Sequence, residues 1–184
     1  MAENLPITFR PLRDEDVALM FAWRQEEHVS RWWHSASYDE VAAECAELIA
    51  GEEPVAPLIM LWGERPIGYA QWYRLWNDGV VITPSYARLS PAIPRGAAAI
   101  DLFIGATDCL YRGLGPAILR ALLRERIFAE PDIPGCVISP HPDNASGIRA
   151  YEKAGFRFRE TIWMEETAEE EYVMYLAREE FGED

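Results

Sequence analysis

Ala97-Ala-Ala-Ile-Asp-Leu-Phe-Ile-Gly105, followed shortly by Arg112-Gly-Leu-Gly-Pro-Ala117, is the stretch that decides the fold. The first part is a continuous apolar run holding one charge, Asp101, and reads as a strand buried on both faces. The second is a glycine-rich turn opening a helix to about Phe128. Ile118, Leu119, Leu122 and Leu123 turn inward, and Pro116 suits the first helical position. Such a strand–turn–helix unit offers an anion the unpaired N–H groups of a helix's first turn and the positive end of its dipole. Arg112 adds a cation at the edge, and Ala117 is small enough to admit a pyrophosphate. A glycine pair before a helix is more often only a tight turn. No Gly-Lys-Ser/Thr follows and the pattern is not GxGxxG, so ATP and dinucleotide signatures are absent.

Outward from this unit, Ile7–Pro11 reads as a first strand. Asp14 caps a helix to about Glu27 with Val17, Met20 and Phe21 on one face. Ser37 and Glu40 have capping-box spacing, opening a helix that turns Val41, Cys45, Leu48 and Ile49 inward. Val55–Trp62 and Pro66–Trp76 read as a hairpin about Gly63-Glu64-Arg65. Along the second strand Trp72 and Trp76 share a face and Tyr73 takes the other. Asn77-Asp78-Gly79 is a turn signal, and the stretch to Gly96 is proline-interrupted and irregular. Beyond the central unit, Cys136–Ser139 is a short strand. Asp143 or Asn144 caps a helix through Ala154, with Gly155 at its C-terminal end and Phe156 as the contact beyond. Arg157–Met164 and Glu171–Leu176 form a closing hairpin around Glu165–Glu170. With no repeat or linker in view, residues 1–184 read as a single domain: a mixed α/β sheet with interleaved helices.

Composition narrows the function. The apolar share of 49% supports a sizeable core, and no run approaches the length of a membrane helix. No secretory signal is expected at Met1–Pro11. The net charge of −14 opposes nucleic acid and anionic lipid and favours cationic small molecules or basic partners, though acidity also serves plain solubility. Cys45, Cys109 and Cys136 are odd in number and far apart. A reduced cytoplasmic protein without a cysteine zinc site, or any other metal, is the expectation.

Arg112–Ala117 (R-x-x-G-x-A), the preceding Ile100–Gly105 and the segment Asn144-Ala-Ser-Gly-Ile-Arg-Ala-Tyr151-Glu-Lys-Ala-Gly-Phe156 together resemble the GNAT acetyltransferases. Arg31-Trp32-Trp33, Pro66-Ile-Gly-Tyr-Ala-Gln71 and Ile100-Asp101 are similar, more narrowly, to the aminoglycoside 6'-N-acetyltransferase branch. The resemblance implies a splayed central sheet with flanking helices and a C-terminal hairpin, and acetyl-coenzyme A as cosubstrate. The strands at Ile100–Gly105 and Cys136–Ser139 would part, the pantetheine arm bonding to the backbone at Leu102, Phe103 and Ile104. The pyrophosphate would rest on Arg112, Gly113, Leu114, Gly115, Pro116 and Ala117, with Asn144 also near the cofactor.

Two side chains carry the chemistry this implies. Tyr151, a phenol protonated at neutral pH, would protonate the departing thiolate. Its bland alternative is an amphipathic helical residue with its hydroxyl at the surface. Asp101 would hold the acceptor ammonium and act as general base, which for a carboxylate of ordinary acidity needs desolvation or a water relay. The alternative is a structural pair with Arg95 or Arg112. Trp32 and Trp33, in a polar loop, suit walls for a flat polar ligand through stacking and cation–π contact, one of them plugging the core. Gln71 would bond the acceptor if it faces the cleft. His141, alone in a proline-rich loop, is left out of the catalytic set.

Two departures bear on the acceptor. Gly79–Ile100 holds no Asp or Glu where the aminoglycoside branch carries several acids, and Ser139 stands where many of those enzymes have Asp. Asp78, Asp101, Asp143 and the Glu165–Glu171 turn remain as acids for a cationic acceptor. The leading reading is therefore acetyl transfer to a primary amine of a small cationic molecule in a ternary complex, by a monomer or homodimer. A siderophore-type lysine N-acyltransferase, a non-catalytic coenzyme A-binding domain and a protein-lysine acetyltransferase are the alternatives.

Overall fold

In the computed structural model, which describes residues 5–34, 36–77, 80–81, 85–86, 92–165 and 167–182, the chain divides into two compact units. The first comprises residues 1–71 and 102–114; the second comprises residues 72–101 and 115–184.

In the first unit β1 (Ile7–Pro11) pairs antiparallel with β2 (Val55–Trp62), from Ile7↔Trp62 to Pro11↔Leu58. The link between β1 and the first helix is anchored by Asp16, 3% exposed. Its carboxylate accepts both Arg10 guanidinium nitrogens at 2.6 and 2.7 Å and the Arg13 N–H at 3.0 Å. The expected cap at Asp14 is therefore replaced. Residues Asp14–Asp16 form a 3₁₀ turn and α1 spans Val17–Gln25. The helix expected to reach Glu27 breaks where Glu26 is extended, and α2 (Glu27–Ser30) follows. At α3 (Tyr38–Ala50) the capping box is realised, with Ser37 Oγ accepting the Glu40 N–H and Gly51 closing the helix at φ +71°. Val41, Cys45 and Leu48 are buried, but Ile49 is 37% exposed, because one residue past Leu48 lies about 100° around the helix. Next to β2 runs β3 (Arg65–Arg74). Gly68 permits its close approach to the strand at 102–104: a Cβ there would stand 2.3 Å from the Phe103 carbonyl oxygen. Met20, Trp23, Val41, Cys45, Ile59, Tyr69 and Phe103 fill the core.

In the second unit β4 (Trp76–Asn77) and β5 (Val80–Val81) form a two-stranded ribbon. Leu75, fully buried, interrupts the alternation before it, so Tyr73 and Trp76 pack against the same core rather than opposite faces. Asp78, Gly79 and residues 82–84 and 87–91 of the irregular stretch lie outside the described residues, as does Glu166. The apolar run forms β6 (Ala98–Ile104), whose residues to Asp101 belong here. β7 (Gly135–Ile138) pairs with it in parallel at Ala98↔Cys136 and Ala99↔Val137. β9 (Glu169–Ala177) lies antiparallel between β7 and β8 (Arg157–Met164), giving the order β6-β7-β9-β8 and a mixed sheet. The closing hairpin is as expected. β6 is not buried throughout: Ala98–Ile100 are buried, while Asp101, Leu102 and Ile104 are half-exposed.

α4 spans Leu114–Leu122, so Pro116 stands third rather than first. It is still in the first turn, where a missing N–H breaks no helical bond. α4 continues into a π-helical turn at Leu123–Ile127, closed by the Phe128 N–H donating to the Leu123 carbonyl at 2.7 Å. α5 (Ala145–Ala154) is capped by Asn144, whose Oδ1 accepts the Gly147 N–H at 3.0 Å. Gly155 ends it at φ +111°, and Phe156 is fully buried beyond. The three cysteines are free thiols, all buried. Among the described residues no helix is long and apolar enough to cross a membrane.

Candidate active site

Ala97, Ala99, Val137, Val173 and Tyr175 belong to one apolar cluster of the second unit, together with Tyr86. Side chains alternate along a strand, so the next positions on that face are Asp101 after Ala99, Ser139 after Val137 and Glu171 before Val173. The apolar face thus passes into a polar one as β6 ends its pairing with β7. Among the described residues that pairing stops at Ala99↔Val137, although β6 continues to Ile104. β7 itself ends at Ile138, one residue past the last pair.

Tyr151 lies on the last turns of α5. Burial is the main cause that pushes its phenol well above the ordinary tyrosine range, and the charge of Asp101 adds to it. The residue as a whole is half-buried, and its phenol is protonated at neutral pH. Asp101 and Tyr151 belong to the same unit.

Tyr86 is not among the residues the sequence singles out. It is 5% exposed, and its Oη lies 2.6 Å from Ser139 Oγ and 3.0 Å from Glu171 Oε2. Burial chiefly, then the Glu171 charge, raises its pKa well above the ordinary value, with Tyr73 and Asp101 contributing. Nothing in the local pattern around it signals this, since the contacts are tertiary. Asp143 is highly exposed, its carboxylate 3.9 Å from His141 Nδ1. Asn144 commits its Oδ1 to the α5 cap, and Gly147 leaves room for it: a Cβ there would lie 2.9 Å from the amide.

In the first unit the tandem tryptophans divide their roles. Trp33 packs edge-on against Phe103 (5.0 Å between centroids) and Tyr69 (5.9 Å), while half-buried Trp32 lies under the Arg31 guanidinium at 4.8 Å. Gln71 Oε1 accepts the buried Tyr69 hydroxyl at 2.8 Å, which fixes the amide two residues along the same face. Leu102 and Ile104 are half-exposed and Phe103 is core. The Ile104 carbonyl accepts from His28 Nε2 at 2.8 Å, a tertiary contact with no local signal in the chain. Ahead of α4, Tyr111 (φ +59°) and Gly113 (φ +75°) are both left-handed and turn the chain around exposed Arg112. The guanidinium of Arg112 sits 5.8 Å from the Trp62 ring centre. The N–H groups at Gly113, Leu114, Gly115 and Ala117 are available to an anion there; Pro116 has none. Among the described residues no group of three or more His, Cys, Asp or Glu is arranged to hold a metal.

The model of the acetyltransferase (GNAT) domain matches residues 13–164, and the chain belongs to that family. Among curated proteins it is 29% identical, over 86% of its own length and 78% of theirs, to aminoglycoside N(6')-acetyltransferase type 1 of Klebsiella pneumoniae and of Serratia marcescens. Among solved structures it is similar to aminoglycoside acetyltransferase AAC(6')-Ib in complex with coenzyme A and kanamycin, with 28% identity and a TM-score of 0.81. That match covers 96% of this chain and 97% of the other. The fold is that of the acetyltransferases, and the chain is an acetyltransferase close to the aminoglycoside 6'-N branch.

Proposed function

We propose that this chain transfers acetyl from acetyl-coenzyme A to a primary amine of a small cationic acceptor, an aminoglycoside 6'-amine first among them, by direct attack in a ternary complex. The observation that carries the reading is that Asp101 and Tyr151 share one unit, the Asp101 charge acting on the Tyr151 phenol, in a chain similar over most of its length to aminoglycoside N(6')-acetyltransferases. Acetyl-coenzyme A supplies an acyl group already activated as a thioester. Asp101 holds the acceptor ammonium and takes its proton, directly or through water, so that the neutral nitrogen bonds to the acyl carbon. As the carbon–sulfur bond breaks, the Tyr151 hydroxyl gives its proton to sulfur; the second proton shed by the acylated nitrogen restores the phenol through water, and Asp101 releases the first to solvent. The N–H groups of Gly113, Leu114, Gly115 and Ala117, with Arg112 at the edge, bind the pyrophosphate. The backbone at Leu102, Phe103 and Ile104 takes the pantetheine arm, with Asn144 near it. Trp32 offers its ring face to a cationic sugar, Gln71 an amide nitrogen, and Trp33 holds the wall from behind.

This reading places the protein in the cytoplasm, where acetyl-coenzyme A is made, and gives a host resistance to the aminoglycosides it modifies. The test is thiol release from acetyl-coenzyme A across a panel of aminoglycosides, polyamines and N-hydroxylysine. Release with aminoglycosides is the expected result. Release with polyamines alone removes the resistance role, and release with N-hydroxylysine alone moves the chain to the siderophore class.

A further inference from the structure

Gly79–Ile100 holds no Asp or Glu, and Ser139, next on the face after Val137, is uncharged. An acceptor with several ammonium groups then has too few partners if Asp101 acts alone. The second unit carries another carboxylate on the same face of the sheet. Glu171 precedes Val173 on β9, and the Tyr172 N–H donates to the Pro140 carbonyl at 2.8 Å, which ties this part of β9 to the chain just beyond Ser139. Tyr86 then links the two side chains, at 2.6 Å from Ser139 Oγ and 3.0 Å from Glu171 Oε2. An ionised carboxylate only accepts, so the single phenolic proton goes to Glu171 while the Ser139 hydroxyl donates to Tyr86. A buried phenol therefore fixes the Glu171 carboxylate beside Ser139.

Resting on the acetyltransfer reading above, we propose that Glu171, positioned by Tyr86 beside Ser139, is a second anionic contact for the acceptor. It selects acceptors that carry a cationic group besides the amine acetylated. Asp101 serves the reacting nitrogen and Glu171 a distant one, so loss of Glu171 weakens binding more than chemistry.

The experiment compares kanamycin with 6-amino-6-deoxyglucose, which has one cationic nitrogen, in steady-state kinetics. Glu171→Gln is expected to raise the kanamycin KM about tenfold with kcat within about twofold, and to raise the monoamine KM far less. Tyr86→Phe, which keeps the ring and removes the hydroxyl, should produce the same selectivity loss in weaker form. Ser139→Asp added to Glu171→Gln should return the kanamycin KM to within about threefold of wild type, a rescue that a purely structural Glu171 would not allow. Equal KM changes for both acceptors, or a failed rescue in a folded double variant, overturn the proposal. If Glu171→Gln does not fold, an unchanged selectivity in Tyr86→Phe overturns it by itself. Wild-type protein that acetylates no amine removes the enzymatic reading and this inference with it; wild-type turnover with an unaffected Glu171→Gln removes the inference alone.

Discussion

Gly115 of α4 faces Ala150 of α5 so closely that a Cβ on the glycine would stand 3.2 Å from the alanine methyl. The helix whose first turn offers its N–H groups thus packs directly on the helix that carries Tyr151. A valine at position 115 would both crowd the approach of a phosphate and press on α5. Gly115→Val should lower acetyl-coenzyme A affinity at least about tenfold, or ~1.4 kcal/mol, in calorimetry. It should lower the melting temperature as well. Unchanged affinity would remove this turn from the binding site.

Tyr151→Phe keeps the half-buried ring and removes the hydroxyl. Its kcat should fall by ~10²–10⁴-fold with little change in acceptor KM, because the proton is needed only as the thiolate leaves. The loss should shrink with an acyl donor whose leaving thiol is more acidic. A wild-type kcat would return Tyr151 to a packing role.

Asp101→Asn deletes the charge that Tyr151 feels. We expect kcat/KM for the acceptor to fall about a hundredfold, near 2.7 kcal/mol, with acetyl-coenzyme A affinity nearly unchanged. The same substitution should lower the Tyr151 pKa by the lesser part of its rise, since burial is the main cause and the Asp101 anion the second. Ultraviolet titration against Tyr151→Phe reads this shift. If Asp101 were instead a structural partner of an arginine, the cost would appear as roughly 3–5 kcal/mol of stability with kinetics intact per folded molecule.

Much of this pair is legible in the sequence. Asn144, Tyr151, Gly155 and Phe156 stand at spacings set by local helix chemistry: a cap, two turns, a left-handed glycine and the contact after it. Asp101 stands out as one charge in an apolar run. Helix starts are less legible: Asp14 and Asp16 both suit a cap, yet the Asp16 carboxylate turns back to Arg10 and the Arg13 N–H, and α1 starts without a side-chain cap. Tyr86 is illegible for a stronger reason. Its partners Ser139 and Glu171 lie far along the chain, and no periodicity near residue 86 encodes them.

The tandem tryptophans should separate on substitution. Trp33→Ala opens a hole beside Tyr69 and Phe103 and should cost about 2–4 kcal/mol in denaturant unfolding. Trp32→Ala should leave stability within about 0.5 kcal/mol and raise the acceptor KM severalfold. A destabilised Trp32→Ala with unaltered KM would take Trp32 out of the acceptor site.

Cys45 gives the protein an alkaline limit. Burial first, then Glu44, raises its thiol from 9.0 to about 11. The folded state keeps this proton to higher pH than the unfolded chain does. The associated stability is therefore fully present below pH ~9 and is lost as pH rises to ~11, by about 2–3 kcal/mol. Cys136 and Tyr151, also raised, act in the same direction. Denaturant melts across that range should show the decline, and Cys45→Ala should flatten it. A stability that is level from pH ~8 to ~11 in the wild type would contradict the assignment.

β9 lies between β7 and β8, yet it follows both in the sequence. While the chain is being synthesised, β7 and β8 leave the ribosome with the space between them empty. Each has an unpaired edge until residues 169–177 arrive to join them. The second unit, with Asp101, Tyr151 and Glu171, therefore assembles late, and its rate depends on long-range closure rather than local helix formation. Open strand edges of this kind invite mispairing between nascent chains, so yield of active protein should depend on slow synthesis and low temperature more than on the stability of the finished fold.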